Sequence, residues 1–137
     1  MNKKSVAIGG MIAAWALAGS AYAADVKVTL SGAEEVPAVT TSATGTGTIT
    51  IKDDKTITGS VTTKDIAGVA AHIHRAPAGK NGPPVVPLTK TAEGVWSVAE
   101  GTKLSDELYA AFKAGELYVN VHSAANKAGE IRGQLKP

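Results

Sequence analysis

The three histidines of the chain are the residues whose type and spacing best suit chemistry. His72 and His74 stand one residue apart in "AHIHR", and His122 closes "YVNVH". On an extended strand, residues i and i+2 point to the same face, about 6.6–6.8 Å apart. Imidazoles at that spacing can reach one metal ion through bonds of about 2.0 Å. The "HIH" pattern therefore predicts a two-histidine chelate if the segment is a strand.

The third histidine could complete this site. Strand alternation places Tyr118, Asn120 and His122 on one face of "LYVNVHS". If this strand neighbours the strand that carries His72 and His74, all three imidazoles share one surface and form a metal site. The alternative is that they are ordinary residues on the polar face of a sheet, hydrogen-bonded to one another or to water. The residues alone leave both interpretations open.

Four further residues are predicted to support the site, namely Asn120, Asn81, Arg132 and Glu130. Asn81 begins "NGPP", a stiff turn that could wall the histidines, although ordinary loop chemistry explains it as well. Glu130, Arg132 and Gln134 share one face of the last predicted strand. Arg132 could pair with a buried carboxylate as a structural ion pair, or it could anchor an anionic ligand near the histidines.

The composition limits which ligands and which reactions the protein can use. The chain has no cysteine, and its two methionines are Met1 and Met11. A metal site must therefore use histidine, carboxylate, amide or water ligands, without soft sulfur. The sequence also lacks a nucleophile elbow and a phosphate-binding P-loop. We therefore expect binding rather than turnover, with no catalytic residue and no organic cofactor.

The first 23 residues are typical of a cleavable secretory signal peptide. A short basic start, "MNKK", precedes an apolar run and the small-residue pattern "AYA". Cleavage after Ala23 would leave a single domain of residues 24–137, without a transmembrane segment, in the periplasm or outside a bacterial cell. Lys3 and Lys4 would leave with the peptide, so that the 14 basic residues become 12 and balance the 12 acidic ones. The absence of a basic stripe argues against nucleic-acid binding.

Period-two alternation, interrupted by turn residues, predicts a β domain. One segment differs: Ser105 is a suitable N-cap, Asp106 and Glu107 lie in the first turn, and Gly115 ends it, which predicts a short helix near residues 105–114. Many short strands with Gly and Pro turns favour an all-β, antiparallel Greek-key β-sandwich of the superoxide dismutase-like or immunoglobulin-like kind. The predicted strands are 25–30, 44–51, 56–63, 68–75, 83–88, 94–100, 116–123 and 130–135.

The combined motifs resemble those of a known family. "AHIHRAPAGKNGPPVVPL", the Trp of "GVWSV" and "LYVNVHSAANKAGEIRGQL" are together similar to the CHRD domain, named for repeats in chordin and widespread in bacterial exported proteins. The resemblance runs from about Val26 to Leu135. In chordin such domains accompany modules that bind extracellular growth factors, which implies a second function, a metal-free protein-interaction module.

A more distant resemblance is to Cu/Zn superoxide dismutase, which also has an H-x-H strand. His72 and His74 match that pair, and His122 matches the late copper histidine loosely. The bridging histidine and the zinc-site residues have no counterpart here, so the resemblance implies copper binding more than dismutation.

The leading prediction is a small exported protein that binds copper, with zinc second, as a carrier, buffer or sensor. An interaction module comes next and a dismutase-like enzyme last. The oligomeric state is left open.

Overall fold

A computed structural model describes residues 23–137 of the protein. Residues 1–22 lie outside the described part, so the signal peptide and its cleavage after Ala23 stay predictions. Within residues 23–137, no helix is long and apolar enough to cross a membrane.

The described chain contains eight strands and one short α-helix. All eight predicted strands and the predicted helix are present, with small differences at their ends. A single 3₁₀ turn, Gly32–Glu34, follows the first strand. The strands are β1 Ala23–Ser31, β2 Thr44–Lys52, β3 Ile57–Lys64, β4 Gly68–Arg75, β5 Pro84–Ala92, β6 Val95–Val98, β7 Leu117–Ser123 and β8 Ile131–Leu135, and the helix is α1 Asp106–Lys113.

The strands close into one antiparallel barrel, in the order β1-β2-β3-β6-β5-β4-β7-β8. The prediction of an open Greek-key sandwich is therefore wrong, although the all-β class and the antiparallel pairing are confirmed. Two pairings turn the sheet into a ring. β3 pairs with β6, and β1 meets β8 where Ser31 lies opposite Arg132. Alternation along a strand is the same in a sandwich and in a barrel, so it could not distinguish them.

Apolar side chains on the inner face of each strand fill the barrel. In β4, Ala71 and Ile73 point inward, and in β7 Val119 and Val121 do so opposite them. This inward set leaves His72 and His74 on the outer face of β4. The outer face of β7 is nevertheless covered as well, because all seven of its residues are buried. The histidines thus lie on a part of the barrel wall that loops enclose.

The helix α1 lies in the long connection between β6 and β7. The hydroxyl of Ser105 accepts a hydrogen bond from the Leu108 amide at 3.1 Å, which caps the first turn. Gly115 follows the helix with a φ of +76°, in the left-handed conformation that ends many helices. Ala111 and Phe112 are buried and join the barrel core. The helix therefore carries the chain to the start of β7 while adding to the packing.

Candidate metal centre

Neighbouring antiparallel strands bring the three histidines together. β4 pairs with β7, so that His72 lies opposite Asn120 and His74 opposite Tyr118. His122 lies farther along β7, opposite Ala70 and next to a bulge in the pairing. Cross-strand partners point to the same face of a sheet, so all three imidazoles project from the outer face. The sequence condition for a shared surface, that these two strands be neighbours, is met.

The nitrogen atoms of the three rings converge on one small region. His72 Nδ1 lies 3.2 Å from His122 Nε2, and His74 Nε2 lies 3.4 Å from the same atom. One nitrogen from each ring lies within 4.8 Å of the other two. Imidazole nitrogens that bind a common ion through bonds of about 2.0–2.1 Å lie at most about 4.2 Å apart, and the 3.2 Å and 3.4 Å distances are within this limit. The three side chains could therefore hold a metal ion.

Backbone carbonyls fix how two of the rings are protonated. His74 Nδ1 donates a hydrogen bond to the Gly82 carbonyl at 2.9 Å, and His122 Nδ1 donates one to the Lys127 carbonyl at 2.9 Å. A carbonyl oxygen only accepts, so each Nδ1 carries the ring proton and each Nε2 presents a lone pair. Two lone pairs thus face each other across 3.4 Å. This is the arrangement of metal-ligating histidines, whose other nitrogen is held by an outer partner.

Burial keeps the rings in the form that binds metals. His74 is 7% exposed and His122 is 9% exposed, whereas His72 is half-buried. Burial lowers the pKa of His72, and the charge of a protonated His122 would lower it further. Burial also lowers the pKa of His74, against the opposing effect of its bond to Gly82. Both side chains are therefore neutral at neutral pH, with a lone pair to offer.

The buried Arg132 holds the loop that orients His74. Its guanidinium group, in a side chain only 1% exposed, donates to the Lys80 carbonyl at 2.8 Å and the Pro77 carbonyl at 3.2 Å. It also donates to the side-chain oxygen of Asn81 at 3.4 Å. The next residue, Gly82, supplies the carbonyl for His74. Arg132 therefore fixes the loop of residues 76–83, a role that the sequence did not reveal.

An aromatic stack also links Arg132 to His74. The guanidinium carbon of Arg132 lies 3.5 Å from the centre of the Tyr118 ring, and that ring stacks on His74 with centroids 5.0 Å apart and planes 15° apart. The Tyr118 hydroxyl accepts a hydrogen bond from the Gly82 amide at 3.1 Å. Tyr118 thus contacts the imidazole, the loop and the cation at once, which restricts rotation of His74.

Glu130 holds the turn that orients His122, as Arg132 holds the loop that orients His74. Its carboxylate accepts hydrogen bonds from Ser123 at 2.7 Å, from Thr41 at 2.9 Å and from Asn126 at 3.3 Å. The bond from Ser123 is the main cause that lowers the pKa of Glu130, so this carboxyl is ionised at neutral pH. These contacts hold the turn between β7 and β8. That turn carries the Lys127 carbonyl to which His122 donates.

Asn120 and Asn81 lie around the site but do not contact the converging nitrogens. Asn120 Nδ2 donates to the Ile131 carbonyl at 2.9 Å and also to the carboxylate of the buried Glu35. Burial raises the pKa of Glu35, against the lowering effects of the Asn120 bond and of the charge of Arg132. Asn81 donates to the Val36 carbonyl at 2.7 Å. These two residues connect the loops that enclose the histidines.

Sequence reasoning did not find Tyr118, Glu35 or the carbonyls of Gly82 and Lys127. Tyr118 was placed on the correct face, but its contact with the histidine depends on the pairing of β4 with β7. A backbone carbonyl has no side chain to mark it. Gly82 did carry a signal, because a Cβ atom there would overlap the carbonyl oxygen of Arg75. Its close approach to β4 requires glycine.

Comparison with known families places the chain. The family model of the CHRD domain matches residues 26–135, a range that begins in β1, ends at the last residue of β8 and includes all three histidines. No curated protein and no solved structure matches the chain. The motifs around the histidines had suggested the same family. The chain belongs to the CHRD domain family.

Proposed function

We propose that this protein binds a transition metal ion through His72, His74 and His122, with copper as the first choice and zinc as the second. One observation carries the proposal: the Nε2 lone pairs of His74 and His122 face each other at 3.4 Å while both Nδ1 atoms donate to carbonyls. Without an ion, only His72 Nδ1 can offer a proton to this pair, at 3.2 Å from His122. A bound cation satisfies all the lone pairs at once.

The ligand set favours copper among divalent ions. Neutral imidazoles suit copper and zinc, and the affinity of a nitrogen site for divalent ions rises toward Cu(II) and falls again at Zn(II). No cysteine exists in the chain, and both methionines precede residue 12. Three protein ligands leave one coordination position for water or a small ligand. His72, which is half-buried, gives that position access to solvent.

The role that fits such a site is a carrier, buffer or sensor of copper in an exported protein. The signal peptide predicted in residues 1–23 would place the protein in the periplasm or outside the cell. We favour binding over dismutation, because fast dismutation by a bridged copper–zinc pair would need further histidine ligands and the chain has three histidines in total.

A metal titration tests the proposal. Metal-stripped protein without a histidine tag, residues 24–137, is titrated with Cu(II) and followed by visible absorption and electron paramagnetic resonance. We expect one tight equivalent with nitrogen hyperfine structure, lost in the double variant His72→Gln, His74→Gln. Asp25→Asn is the matched control, because Asp25 beside a new amino terminus at Ala24 is an obvious adventitious copper ligand. Binding that survives the histidine changes and is lost with Asp25 would contradict the proposal.

Zinc provides a second arm of the same experiment. Zn(II), the second choice, should compete with copper for the same histidines. If neither ion binds in a histidine-dependent way, the metal-free interaction module becomes the better explanation of the fold. A search for a protein partner would then replace the metal measurements.

A further inference from the structure

We propose that the three-histidine site holds copper as Cu(I) in preference to Cu(II). The inference rests on the proposed function, because it concerns the oxidation state of the ion that His72, His74 and His122 bind. Three features of the site favour the cuprous ion: the separations of the ligand atoms, the rigidity of their frame, and the charge around them.

Two of the three nitrogen separations are those of a tetrahedral or trigonal ion. His122 Nε2 lies 3.2 Å from His72 Nδ1 and 3.4 Å from His74 Nε2. With metal–nitrogen bonds of about 2.0–2.1 Å, these separations give N–metal–N angles of about 100–115°. A tetragonal Cu(II) ion needs neighbouring nitrogens about 2.9 Å apart and opposite ones about 4.1 Å apart. Both observed distances lie between these values. Cu(I), with a filled d shell, has no such geometric requirement.

The frame resists rearrangement toward the tetragonal geometry. His74 is held by the Gly82 carbonyl and by its stack on Tyr118, and His122 is held by the Lys127 carbonyl. Moving either ring to suit Cu(II) would lengthen its hydrogen bond to the carbonyl. Each loop that provides a carbonyl is itself fixed, the first by Arg132 and the second by Glu130. The ion must therefore adapt to the ligands, which favours the ion without a preferred geometry.

The charge around the site disfavours a doubly charged ion. The three ligands are neutral imidazoles, so nothing among them compensates the second positive charge of Cu(II). The guanidinium of Arg132 lies on the Tyr118 ring that stacks on His74. It therefore repels the bound ion, and its repulsion of Cu(II) is twice its repulsion of Cu(I).

No carboxylate of residues 23–137 forms an ion pair with a histidine, so none lies directly beside the ion. The ionised carboxylate of Glu130 accepts its hydrogen bonds from Thr41, Ser123 and Asn126. The Glu35 carboxylate accepts its hydrogen bond from Asn120. Residues 23–137 contain no cysteine or methionine, the soft sulfur ligands that usually favour Cu(I), so the preference must come from geometry and charge.

Comparison of the two oxidation states tests the inference directly. Cu(I) affinity is measured anaerobically by competition with bicinchoninate, and Cu(II) affinity by competition with nitrilotriacetate, at one pH on residues 24–137. We expect the dissociation constant for Cu(I) to be at least about 10-fold smaller, which raises the reduction potential by about 59 mV for a one-electron couple. Spectroelectrochemistry of the copper-loaded protein, against copper in excess imidazole, should give the higher potential for the protein.

Comparison of Arg132→Gln with Arg132→Lys separates the charge effect, because both variants lose the planar guanidinium and only Arg132→Gln loses the positive charge. Glutamine keeps an amide donor for the loop carbonyls but removes the positive charge, so the preference for Cu(I) should fall several-fold. Arg75→Gln is the matched control in β4, since Arg75 forms an exposed ion pair with Glu107. The preference should be unchanged in that control. If Arg132→Gln does not fold, the ratio of the Cu(I) and Cu(II) affinities of the wild-type protein tests the inference by itself.

The outcomes distinguish this inference from the proposed function. Tighter binding of Cu(II), with the axial spectrum of a tetragonal ion and loss on changing the histidines, overturns the Cu(I) preference and leaves the proposed function in place. Histidine-dependent binding with the predicted preference supports both. Failure of either ion to bind through the histidines removes both.

Discussion

His74 and His122 present their Nε2 atoms to each other across 3.4 Å, although neither ring can donate a proton there. The Nδ1 proton of each is already given to a carbonyl, that of Gly82 for one ring and that of Lys127 for the other. Two facing acceptors repel unless a proton or a metal ion lies between them. This relationship is the basis of the site, and the predictions below follow from it.

His122 should contribute more to metal affinity than His72. His122 Nε2 lies within 3.4 Å of a nitrogen of each of the other two rings, and its side chain is buried, whereas His72 is half-buried. We expect His122→Ala to weaken copper binding by at least about 100-fold, equivalent to about 2.8 kcal/mol, and His72→Ala to weaken it by about 10-fold. Competition titrations measure both. An equal loss of copper affinity in the two variants would show that His122 does not contribute more than His72.

Arg132 should matter for both stability and metal affinity. Its hydrogen bonds to the carbonyls of the 76–83 loop are buried, and bonds of charged groups contribute about 1.5–3 kcal/mol each. Arg132→Lys keeps the charge but loses the planar fork and the stack on Tyr118. We expect a lower free energy of unfolding by about 2–4 kcal/mol, and a 10–100-fold weaker metal affinity because the outer support of His74 is lost.

A matched control for the Arg132 variant exists in β4, the strand that carries His72 and His74. Arg75 in β4 forms an ion pair with Glu107, whose side chain is 76% exposed. Exposed ion pairs contribute about 0–1 kcal/mol. Arg75→Lys should therefore change the urea unfolding midpoint only slightly and leave the copper affinity unchanged. If both lysine variants behaved alike, the special role assigned to Arg132 would be wrong.

The sequence located the strands and singled out the three histidines, but it did not reveal the closure of the barrel. Inward residues such as Ile73 and Val119 alternate with outward His72 and Asn120, and this period-two pattern located each strand. The same pattern fits a sandwich. Whether β1 meets β8 depends on twist and strand order across the whole sheet, which no local stretch of sequence records. The sandwich prediction was wrong for that reason.

The groups that hydrogen-bond to His74 and His122 could not be predicted from the sequence, for a different reason. The carbonyls of Gly82 and Lys127 are backbone groups, so residue identity does not mark them. Arg132 and Glu130 were singled out from the sequence, but their contacts depend on which loops fold over the outer face. Arg132 was assigned to a carboxylate or an anion, whereas the hydrogen bonds of its guanidinium go to Pro77, Lys80, Asn81 and Gln134.

Gly82 should be sensitive to the smallest side chain. A Cβ atom there would overlap the carbonyl oxygen of Arg75, so Gly82→Ala must displace the loop and with it the carbonyl that holds His74. We expect a loss of about 1–3 kcal/mol in unfolding free energy and weaker copper binding. Gly79→Asn, in the same loop, is the control: a Cβ at Gly79 meets nothing within 4 Å, and asparagine tolerates its φ of +81°. Equal effects at the two glycines would contradict this account.

The metal-free protein should lose stability as the pH falls from about 7 to 5. The pKa values of His72 and His74 are lowered in the folded state below the unfolded value of about 6.5. The unfolded chain therefore binds more protons in this range, so the contribution to stability is present above about pH 6.5 and is lost as the pH falls through the folded pKa values. Urea unfolding at several pH values measures the slope. This slope should be smaller in the double variant His72→Gln, His74→Gln.

Glu35 makes the opposite contribution to the pH dependence of stability, and a variant of this residue isolates that contribution. Its pKa is raised in the folded state, so its contribution is present below the unfolded value of about 4.5 and is lost as the pH rises through the folded value. Glu35→Gln keeps a side chain of the same size and removes the titration. Stability should then fall more steeply between pH 7 and 5 than in the wild type. A slope unchanged by Glu35→Gln would show that this carboxyl does not titrate in that range.

A bound ion should stabilise the barrel, and only through the histidines. Free ion at about 100 times its dissociation constant adds about 2.7 kcal/mol to the free energy of unfolding, if it binds the folded state alone. The stabilisation should also reach both loops, because the ion fixes His74 and His122, and these rings hold the carbonyls of Gly82 and Lys127. Hydrogen exchange should therefore slow in residues 76–83 and 124–129 on loading with copper. The variant His72→Gln, His74→Gln should show neither the gain in stability nor the slower exchange; a similar gain in that variant would mean that the ion binds elsewhere.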